Sequence, residues 1–263
     1  MKQVIVVTKL KPKDLRKATR HIHNQTLQSV KKFLNGLRVR YRVLDRSRLQ
    51  GPLKTGLVIA VGGDGTALAA SHFAGTSPLF CINSAPLTST GFFCRATARN
   101  FRPRLKKILE GKIRPKSLPR LAVYLNGRKL KPFGLNEVLF ASKLQGETAR
   151  YTLQVGRRRE YHKSSGVWVA TGAGSTAAIY SAGGKKDSPA QGRIQYRVRE
   201  PCRFPKSRYR LLGGFVRAGE AVKIISGMNL GMVFIDGAKW HYPVPHQAVL
   251  TVRGNAAPLK IFL

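Results

Sequence analysis

The chain has 263 residues, of which 43% are hydrophobic, and this composition excludes an intrinsically disordered protein. No apolar run approaches the roughly 18 residues that a membrane-spanning helix needs. The three cysteines, Cys81, Cys94 and Cys202, lack metal-ligand spacing, and we expect free thiols in a reducing, cytoplasmic environment.

The charge is strongly basic, with 48 Lys and Arg against 11 Asp and Glu and a formal net charge of +37. Basic residues are spread along the chain, with short runs at 157–159 and 185–186 but no basic tail and no RNA-binding signature. We therefore expect no specific nucleic-acid partner and no membrane association. Such a field attracts phosphate-rich substrates and predicts non-specific adhesion to nucleic acid that weakens with salt.

The first half of the chain alternates strand and helix patterns. Residues 4–7 (VIVV) predict a buried strand, 12–37 a helix and 38–44 a strand with strict alternation. His21 and His23 are expected on the helix surface. A third strand at 57–61 (LVIAV) lacks alternation, as in strands that are covered on both faces. This order predicts a parallel sheet covered by helices.

A glycine-rich turn, GGDGT, follows the third strand and precedes a short helix at 67–73. Glycines let a ligand approach the main chain, and free N–H groups at a helix start favour an anion. Asp64 is unusual beside phosphates, so we expect a base, a hydroxyl-orienting group or a magnesium ligand. A glycine hairpin with a solvated Asp64 is the structural alternative. The phosphate turn consists of Gly62, Gly63, Gly65 and Thr66.

The next strand, 78–83, ends at Asn83, on the carboxyl edge where α/β sheets bind ligands. Gly91 and Phe92 lie in the following loop, and a helix is predicted at 98–110. From residue 116 the pattern changes to alternating strands, with an Asn126-Gly127 hairpin turn. A domain boundary is therefore expected near 111–118.

Two polar segments stand out in the β-rich half. Asn136-Glu137 opens an apolar strand, and its amide and carboxylate suit two neighbouring hydroxyls. A strand at 165–171 leads into a turn rich in glycine and hydroxyl groups and a short helix ending in Gly183-Gly184. Residues 185–210 predict a loop or hinge. Further strands are expected at 215–216, 221–225, 231–235 (leading into Asp236), 249–252 and 259–263.

Four ordered stretches resemble signatures of the NAD kinase family. They are GGDGT, which diacylglycerol kinases of the same superfamily share, the segment from Asn83 to Phe92, the pair Asn136-Glu137, and GSTA…SAGG at 174–184. The Asp236-Gly237 strand end is also similar. The resemblance implies an α/β N-terminal domain with a parallel sheet (1–114), a β-rich dinucleotide-binding domain (115–245), and a C-terminal segment (246–263) returning to the first domain.

The resemblance also implies an ATP-dependent transfer of the γ-phosphoryl group to the adenosine-ribose 2′-hydroxyl of NAD or NADH. Asp64 would take or orient the hydroxyl proton, Asn136 and Glu137 would hold the ribose, and Phe92 would lie against the dinucleotide or simply pack in the core. Mg²⁺ would be held mainly by the phosphates, without a dedicated cluster of protein ligands. The remaining implied binding residues are Asn83, Gly174, Ser175, Thr176, Ala177, Ser181 and Asp236.

The chain departs from the family pattern at several positions of the second signature. Ser165 replaces an acid, Gly172-Ala173 replaces Pro-Thr, and Ala178 replaces a Tyr that helps hold the dinucleotide, partly across a subunit contact. These departures leave the NAD or NADH preference open, as well as the donor (ATP or polyphosphate). A homo-oligomer, dimer or tetramer, is expected. A diacylglycerol-type lipid kinase and a non-catalytic nucleic-acid or nucleotide binder remain the alternatives.

Overall fold

The computed structural model describes residues 3–10, 17–144, 146–203 and 208–263. The chain divides into two compact units, one formed by 1–117 with 259–263 and the other by 118–258. In the described part of the chain, no helix combines the length and the apolar character needed to cross a membrane.

The first unit is built on a parallel sheet in the order β5-β4-β3-β1-β2. At the end of the chain, Ile261 and Phe262 also pair in parallel with β4. The elements are β1 (Val4–Thr8), α1 (Lys17–Gly36), β2 (Tyr41–Asp45), β3 (Leu57–Val61), α2 (Asp64–Phe73), β4 (Leu79–Asn83), β5 (Ala96–Thr97) and α3 (Phe101–Leu109).

Every residue of β1, β3 and β4 is buried, as the unbroken apolar runs predict. Side chains of α1 and α3, among them Leu34 and Phe101, pack on these strands. The parallel sheet with covering helices is therefore confirmed. The start of the predicted first helix, residues 12–16, lies outside the described residues.

The second unit contains two antiparallel sheets. One has the order β13-β12-β11-β8-β15-β16, and the other runs β10-β9-β14 and then residues 249–253 of β17. The elements are β6 (Lys116–Leu125), β7 (Arg128–Lys129), β8 (Glu137–Ser142), β9 (Ala149–Val155), β10 (Arg158–Ser164), β11 (Gly166–Ala170), α4 (Ala178–Ser181), β12 (Ile194–Arg199), β13 (Gly213–Val216), β14 (Ala221–Ser226), β15 (Gly231–Ile235), β16 (Trp240–Val244) and β17 (Val249–Phe262).

Buried side chains from both sheets form the core of this unit, including Phe140, Tyr151, Val167 and Ile224. The Asn126-Gly127 turn is confirmed, since both residues have positive φ, 48° and 80°, as hairpin turns of this type require.

Two predictions about this unit were wrong. Residues 185–210 are not only a loop, because β12 pairs on both sides with β11 and β13. Its alternation buries Ile194, Tyr196 and Val198, but the many charged neighbours obscured that pattern. The two C-terminal strands are one 14-residue strand, β17.

Candidate functional site

The phosphate turn lies between β3 and α2, at the carboxyl end of the parallel sheet. Gly63 is the N-cap and Asp64 is the first residue of the helix, so the acid opens the helix instead of sitting in a longer turn. A β-carbon on Gly62 would lie 2.4 Å from Thr66 Oγ1, and one on Gly63 would lie 2.2 Å from Ser89 Oγ. At Gly62 a β-carbon would also lie 2.8 Å from Thr66 Cβ, so this position requires glycine.

Asp64 holds the neighbouring loop through both carboxylate oxygens. The backbone N–H of Phe92 donates to Oδ2 at 2.9 Å, and that of Phe93 donates to Oδ1 at 3.0 Å. The position is also favourable for an acid, because the N-terminus of a helix carries partial positive charge. A carboxylate has about four acceptor sites, so these two bonds leave capacity for a substrate hydroxyl.

Asn83, predicted as a binding residue, is buried and holds the same loop. Its Nδ2 donates to the Ser89 carbonyl at 3.0 Å, and its Oδ1 accepts the Ala85 N–H at 3.1 Å. Gly91 has a φ of 64°, and a β-carbon there would lie 2.3 Å from Asn83 Nδ2. Asn83 thus shapes the loop, and a direct contact with ligand stays a prediction.

Phe92 is half-buried and Phe93 is buried in the core. The two rings meet edge to face with centroids 5.2 Å apart. Phe93 therefore anchors the loop, while Phe92 keeps part of its ring available.

His23 supports this loop from α1, and its predicted surface position was wrong. It is buried, with Nδ1 2.8 Å from Ser84 Oγ and Nε2 3.2 Å from Thr8 Oγ1. Burial lowers the pKa of His23, with the charges of Arg46 and Lys9 acting in the same direction and the Lys9 carbonyl acting against them. A neutral imidazole is therefore favoured at this edge of the sheet.

Arg46 is a candidate that the sequence analysis missed. It begins a 3-10 helix, Arg46–Arg48, directly after β2. Its Nη1 donates to Thr66 Oγ1 at 3.4 Å and lies 3.2 Å from where a β-carbon on Gly65 would be. Its position directly after a predicted parallel strand was the available signal in the sequence, because residues that follow parallel strands meet at one edge of the sheet. This half-buried guanidinium lies beside the phosphate turn.

In the second unit, Asp236 organises the Asn136-Glu137 segment. Its carboxylate accepts the backbone N–H groups of Leu135 at 2.6 Å, Asn136 at 2.8 Å and Glu137 at 3.0 Å. Asp236 itself has a φ of 50°, a conformation that most residues avoid. The carboxylate therefore has a positioning role, and its predicted contact with the dinucleotide is untested.

The side chains of Asn136 and Glu137 are half-buried, and each has a buried oxygen that is not paired. Asn136 Oδ1 and Glu137 Oε2 have no hydrogen-bond partner within the described part of the chain. Burial, and then the nearby charge of Asp236, raises the pKa of Glu137 to about 8, whereas the backbone N–H of Ala178 lowers it. Buried oxygens without partners are costly, so this pair is suited to a ligand that supplies hydroxyl groups.

The glycine and hydroxyl segment packs directly against this pair. A β-carbon on Gly174 would lie 2.1 Å from the Asn136 carbonyl oxygen. Thr171 Oγ1 donates to the Leu135 carbonyl at 2.6 Å. Ser175 is buried and exchanges hydrogen bonds with the main chain of Asp187, at 2.8 and 3.1 Å. The close packing explains the glycine at 174 and gives Ser175 a structural partner.

Thr176 and Ser181 are exposed, and Ala177 is half-buried. A 3-10 helix, Ala173–Thr176, carries Thr176, and the four-residue α4 ends at Ser181. The structure therefore gathers the predicted residues into two clusters. The first, in the first unit, is Gly62, Gly63, Asp64, Gly65, Thr66, Asn83 and Phe92. The second, in the second unit, is Asn136, Glu137, Gly174, Ser175, Thr176, Ala177 and Asp236, with Ser181 at the end of α4.

Metal-ligating side chains do not cluster in groups of three or more among the described residues. Mg²⁺ commonly uses one or two carboxylates together with phosphate oxygens and water. The single carboxylate of Asp64 at the phosphate turn fits that donor set.

Sequence comparison relates the chain to kinases of nicotinamide dinucleotides. A model of the ATP-NAD kinase N-terminal domain matches residues 3–113. A probable NADH kinase from Oryza sativa is 33% identical over 265 residues, which cover 92% of this chain and 82% of the rice protein. The NADH kinase of Arabidopsis thaliana is 29% identical over 273 residues, covering 92% and 84%.

Solved structures with the same fold include an NAD kinase from Archaeoglobus fulgidus in complex with ATP. It superposes with a TM-score of 0.76 at 22% identity, over 99% of this chain and 93% of that one. Yeast NADH kinase complexed with NADH also gives 0.76, at 17% identity, over 98% and 82%. The fold is therefore that of the two-part kinases of nicotinamide dinucleotides, as the sequence predicted. The chain belongs to the NAD kinase family.

Proposed function

We propose that this protein is an ATP-dependent NAD(H) kinase that makes NADP(H) by phosphorylating the adenosine-ribose 2′-hydroxyl. The observation that carries the proposal is the pair Asn136 and Glu137, in which the buried atoms Asn136 Oδ1 and Glu137 Oε2 have no hydrogen-bond partner among the described residues. A ribose presents two adjacent hydroxyls that satisfy such oxygens. With a pKa near 8, Glu137 can both donate and accept a hydrogen bond at neutral pH.

The first unit supplies the phosphoryl-transfer groups. Backbone N–H groups at the start of α2 and the guanidinium of Arg46 neutralise phosphate charge. Asp64 has acceptor capacity left after binding Phe92 and Phe93, and it takes or orients the proton of the attacking hydroxyl. Asp64 would be the protein carboxylate for a Mg²⁺ ion carried by the triphosphate, and such an ion would further neutralise phosphate charge.

The acceptor includes the reduced dinucleotide. Two relatives that cover most of this chain are named as NADH kinases, from rice and Arabidopsis. In addition, Ala178 lacks the ring of the family's tyrosine, and Ser165 lacks the family's negative charge. We expect NADH to be used at least as well as NAD.

The protein acts as a cytoplasmic homo-oligomer, dimer or tetramer. An oligomer would supply contacts across subunits that the family uses to hold the dinucleotide. Size-exclusion chromatography with light scattering measures this state, and a monomer at assay concentration contradicts it.

One assay separates the proposed function from its rival. Purified protein is incubated with ATP and Mg²⁺ and with NAD, NADH or a diacylglycerol in micelles, and polyphosphate replaces ATP in a parallel series. Formation of NADP or NADPH is the expected result. Phosphorylation of the lipid without phosphorylation of either dinucleotide would replace the proposal with the lipid-kinase alternative.

A further inference from the structure

One face of the second unit is a partly exposed, basic sheet surface outside both clusters of the candidate site. Residues paired directly across antiparallel strands share a face, so the register of β10, β9, β14 and β17 defines it. We call it the basic sheet face. It consists of Arg159, Tyr161 and Lys163 on β10, Arg150, Thr152 and Gln154 on β9, Ala221, Lys223 and Ile225 on β14, and Val249, Thr251 and Arg253 on β17.

Burial distinguishes the two faces of these strands. The alternate residues of the same strands, including Tyr151, Leu153, Ile224 and Leu250, are buried. On the basic sheet face, Arg150 and Arg159 are exposed, Tyr161 is 51% exposed, and the other nine residues are half-buried.

The charge on this face has one sign. Five of its residues are basic and none is acidic. Glu160, the acid within β10, points to the opposite side, where it lies 3.0 Å from His162 and accepts backbone N–H groups of 210 and 211. The only other side chains on the face are short polar groups, aliphatic residues and the ring of Tyr161. The charge of the face therefore favours polyanionic ligands.

The same face of a second copy does not fit this surface. A symmetric dimer formed through this face would place the same five cations against each other. A flexible polyanion with stackable groups fits better. Four strands about 4.8 Å apart make a strip roughly 14 Å wide. This width suits one strand of a nucleic acid.

We propose that the basic sheet face binds single-stranded nucleic acid without sequence preference. Tyr161, between Arg159 and Lys163 on the same strand, stacks on a base, and the surrounding cations contact phosphates. Sheets that bind single-stranded nucleic acid also stack bases on exposed aromatic residues beside basic residues, although they use two or three aromatic residues where this face has one. This binding is separate from phosphorylation of NAD(H), and it gives a location to part of the basic charge.

The test uses fluorescence anisotropy of the full-length protein with a labelled oligouridine over a range of salt concentrations. The face variant is Arg159→Glu/Lys223→Glu, and the matched control is Lys32→Glu/Lys107→Glu, on exposed positions of α1 and α3. Each reversal changes the charge by two, so both double variants carry +33 instead of +37. Only the face variant should lower the salt slope of log K, by about 1.4 for two lost contacts.

Stacking is tested with Tyr161→Ala, which should weaken binding about tenfold or more, while Tyr161→Phe retains it. Phe215→Ala removes an exposed aromatic ring on β13, outside the face, and should have no effect. NADP(H) formation stays unchanged in all these variants, so failure here leaves the proposed kinase activity untouched. Melting temperatures verify folding.

Three outcomes would overturn the proposal. Equal losses in the face and control double variants would assign binding to overall charge. Duplex DNA binding as tightly as oligouridine, with Tyr161→Ala silent, would remove the stacking role. Phosphatidylserine vesicles competing for the face more strongly than oligouridine would make it a membrane surface.

Discussion

At the residue scale, the carboxylate of Asp64 holds the loop at Phe92 and Phe93, and we propose that it also takes or orients the proton of the attacking hydroxyl. Asp64→Asn keeps the shape of the side chain and removes the base. The amide has one oxygen that can accept a backbone N–H group, where the carboxylate has two. We expect kcat to fall by roughly 10²–10⁴, the usual value of acid–base assistance. Steady-state rates of NADP(H) formation measure it.

Glu160→Gln is the control for this variant, since Glu160 also accepts backbone N–H groups with a carboxylate. Both variants lose a backbone hydrogen bond, worth about 1 kcal/mol. The melting temperatures should fall by similar amounts, but only Asp64→Asn should lose activity. If Asp64→Asn turned over like the wild type, Asp64 would be a loop-holding residue and nothing more.

Arg46 provides the clearest test of the phosphate turn. Arg46→Ala should raise the Michaelis constant for ATP about tenfold, because a charge-assisted hydrogen bond to phosphate is worth about 1.5–3 kcal/mol. Arg48→Ala is the matched control, since Arg48 is exposed on the same 3-10 helix. Equal effects of the two substitutions would show that general charge, not the position beside Thr66, is responsible.

Glu137 should make stability depend on pH. Its pKa is about 8 in the folded chain, above the ordinary 4.5, so the native state binds this proton more tightly than the unfolded state does. The stability it contributes is complete below pH 4.5 and is lost as the pH rises to about 8. Glu137→Gln does not titrate. Melting curves of wild type and variant should therefore diverge across this window, and parallel curves would contradict the buried, proton-binding carboxyl.

At the scale of elements, the end of β15 controls the start of β8 through Asp236. Asp236 also interacts electrostatically with Arg120. Burial lowers the pKa of Arg120 to about 10, and the negative charge of Asp236 acts in the opposite direction. Asp236→Asn should loosen the main chain at 135–137 and raise the Michaelis constant for NAD(H), while that for ATP changes little.

The same substitution should also lower the pKa of Glu137, because a neighbouring negative charge is removed. The upper limit of the pH range over which Glu137 affects stability would therefore move to lower pH. A role limited to packing would weaken the fold without moving that window, so the pH profile distinguishes positioning from packing.

Elements with strong local patterns were predictable from the sequence. The buried strands β1, β3 and β4 appear as apolar runs, and the hairpin at Asn126-Gly127 has its own turn chemistry. In contrast, β12 was missed because its buried alternate residues are separated by Gln195, Arg197 and Arg199, and charged residues suggested a loop. Local patterns do not reveal pairing partners, which only the tertiary fold supplies.

The candidate site was predictable where a motif carries it and not where long-range contacts do. GGDGT and Asn136-Glu137 indicated a phosphate turn and a hydroxyl-binding pair. The three N–H bonds of Asp236, which joins residues about a hundred positions apart, depend on the folded chain. Arg46 follows a predicted parallel strand, which places it at the ligand-binding edge, but no local motif indicates its pairing with Thr66, twenty residues away.

For the whole molecule, we propose that the two units carry different parts of one reaction. The first has the phosphate turn, Asp64 and Arg46, and the second has Asn136 Oδ1 and Glu137 Oε2, which have no hydrogen-bond partner among the described residues. The phosphate turn alone does not distinguish a dinucleotide kinase from a lipid kinase. The position at which phosphate appears in the product does so.

The decisive measurement is therefore the site of phosphorylation. Wild-type protein is incubated with ATP, Mg²⁺ and NAD or NADH, and the product is examined by phosphorus NMR. We predict a monoester phosphate on the 2′-hydroxyl of the adenosine ribose, formed roughly 10²–10⁴ times more slowly when Asp64→Asn replaces the wild type. A product phosphorylated elsewhere, or unmodified NAD and NADH beside a folded, ATP-binding protein, would contradict the account.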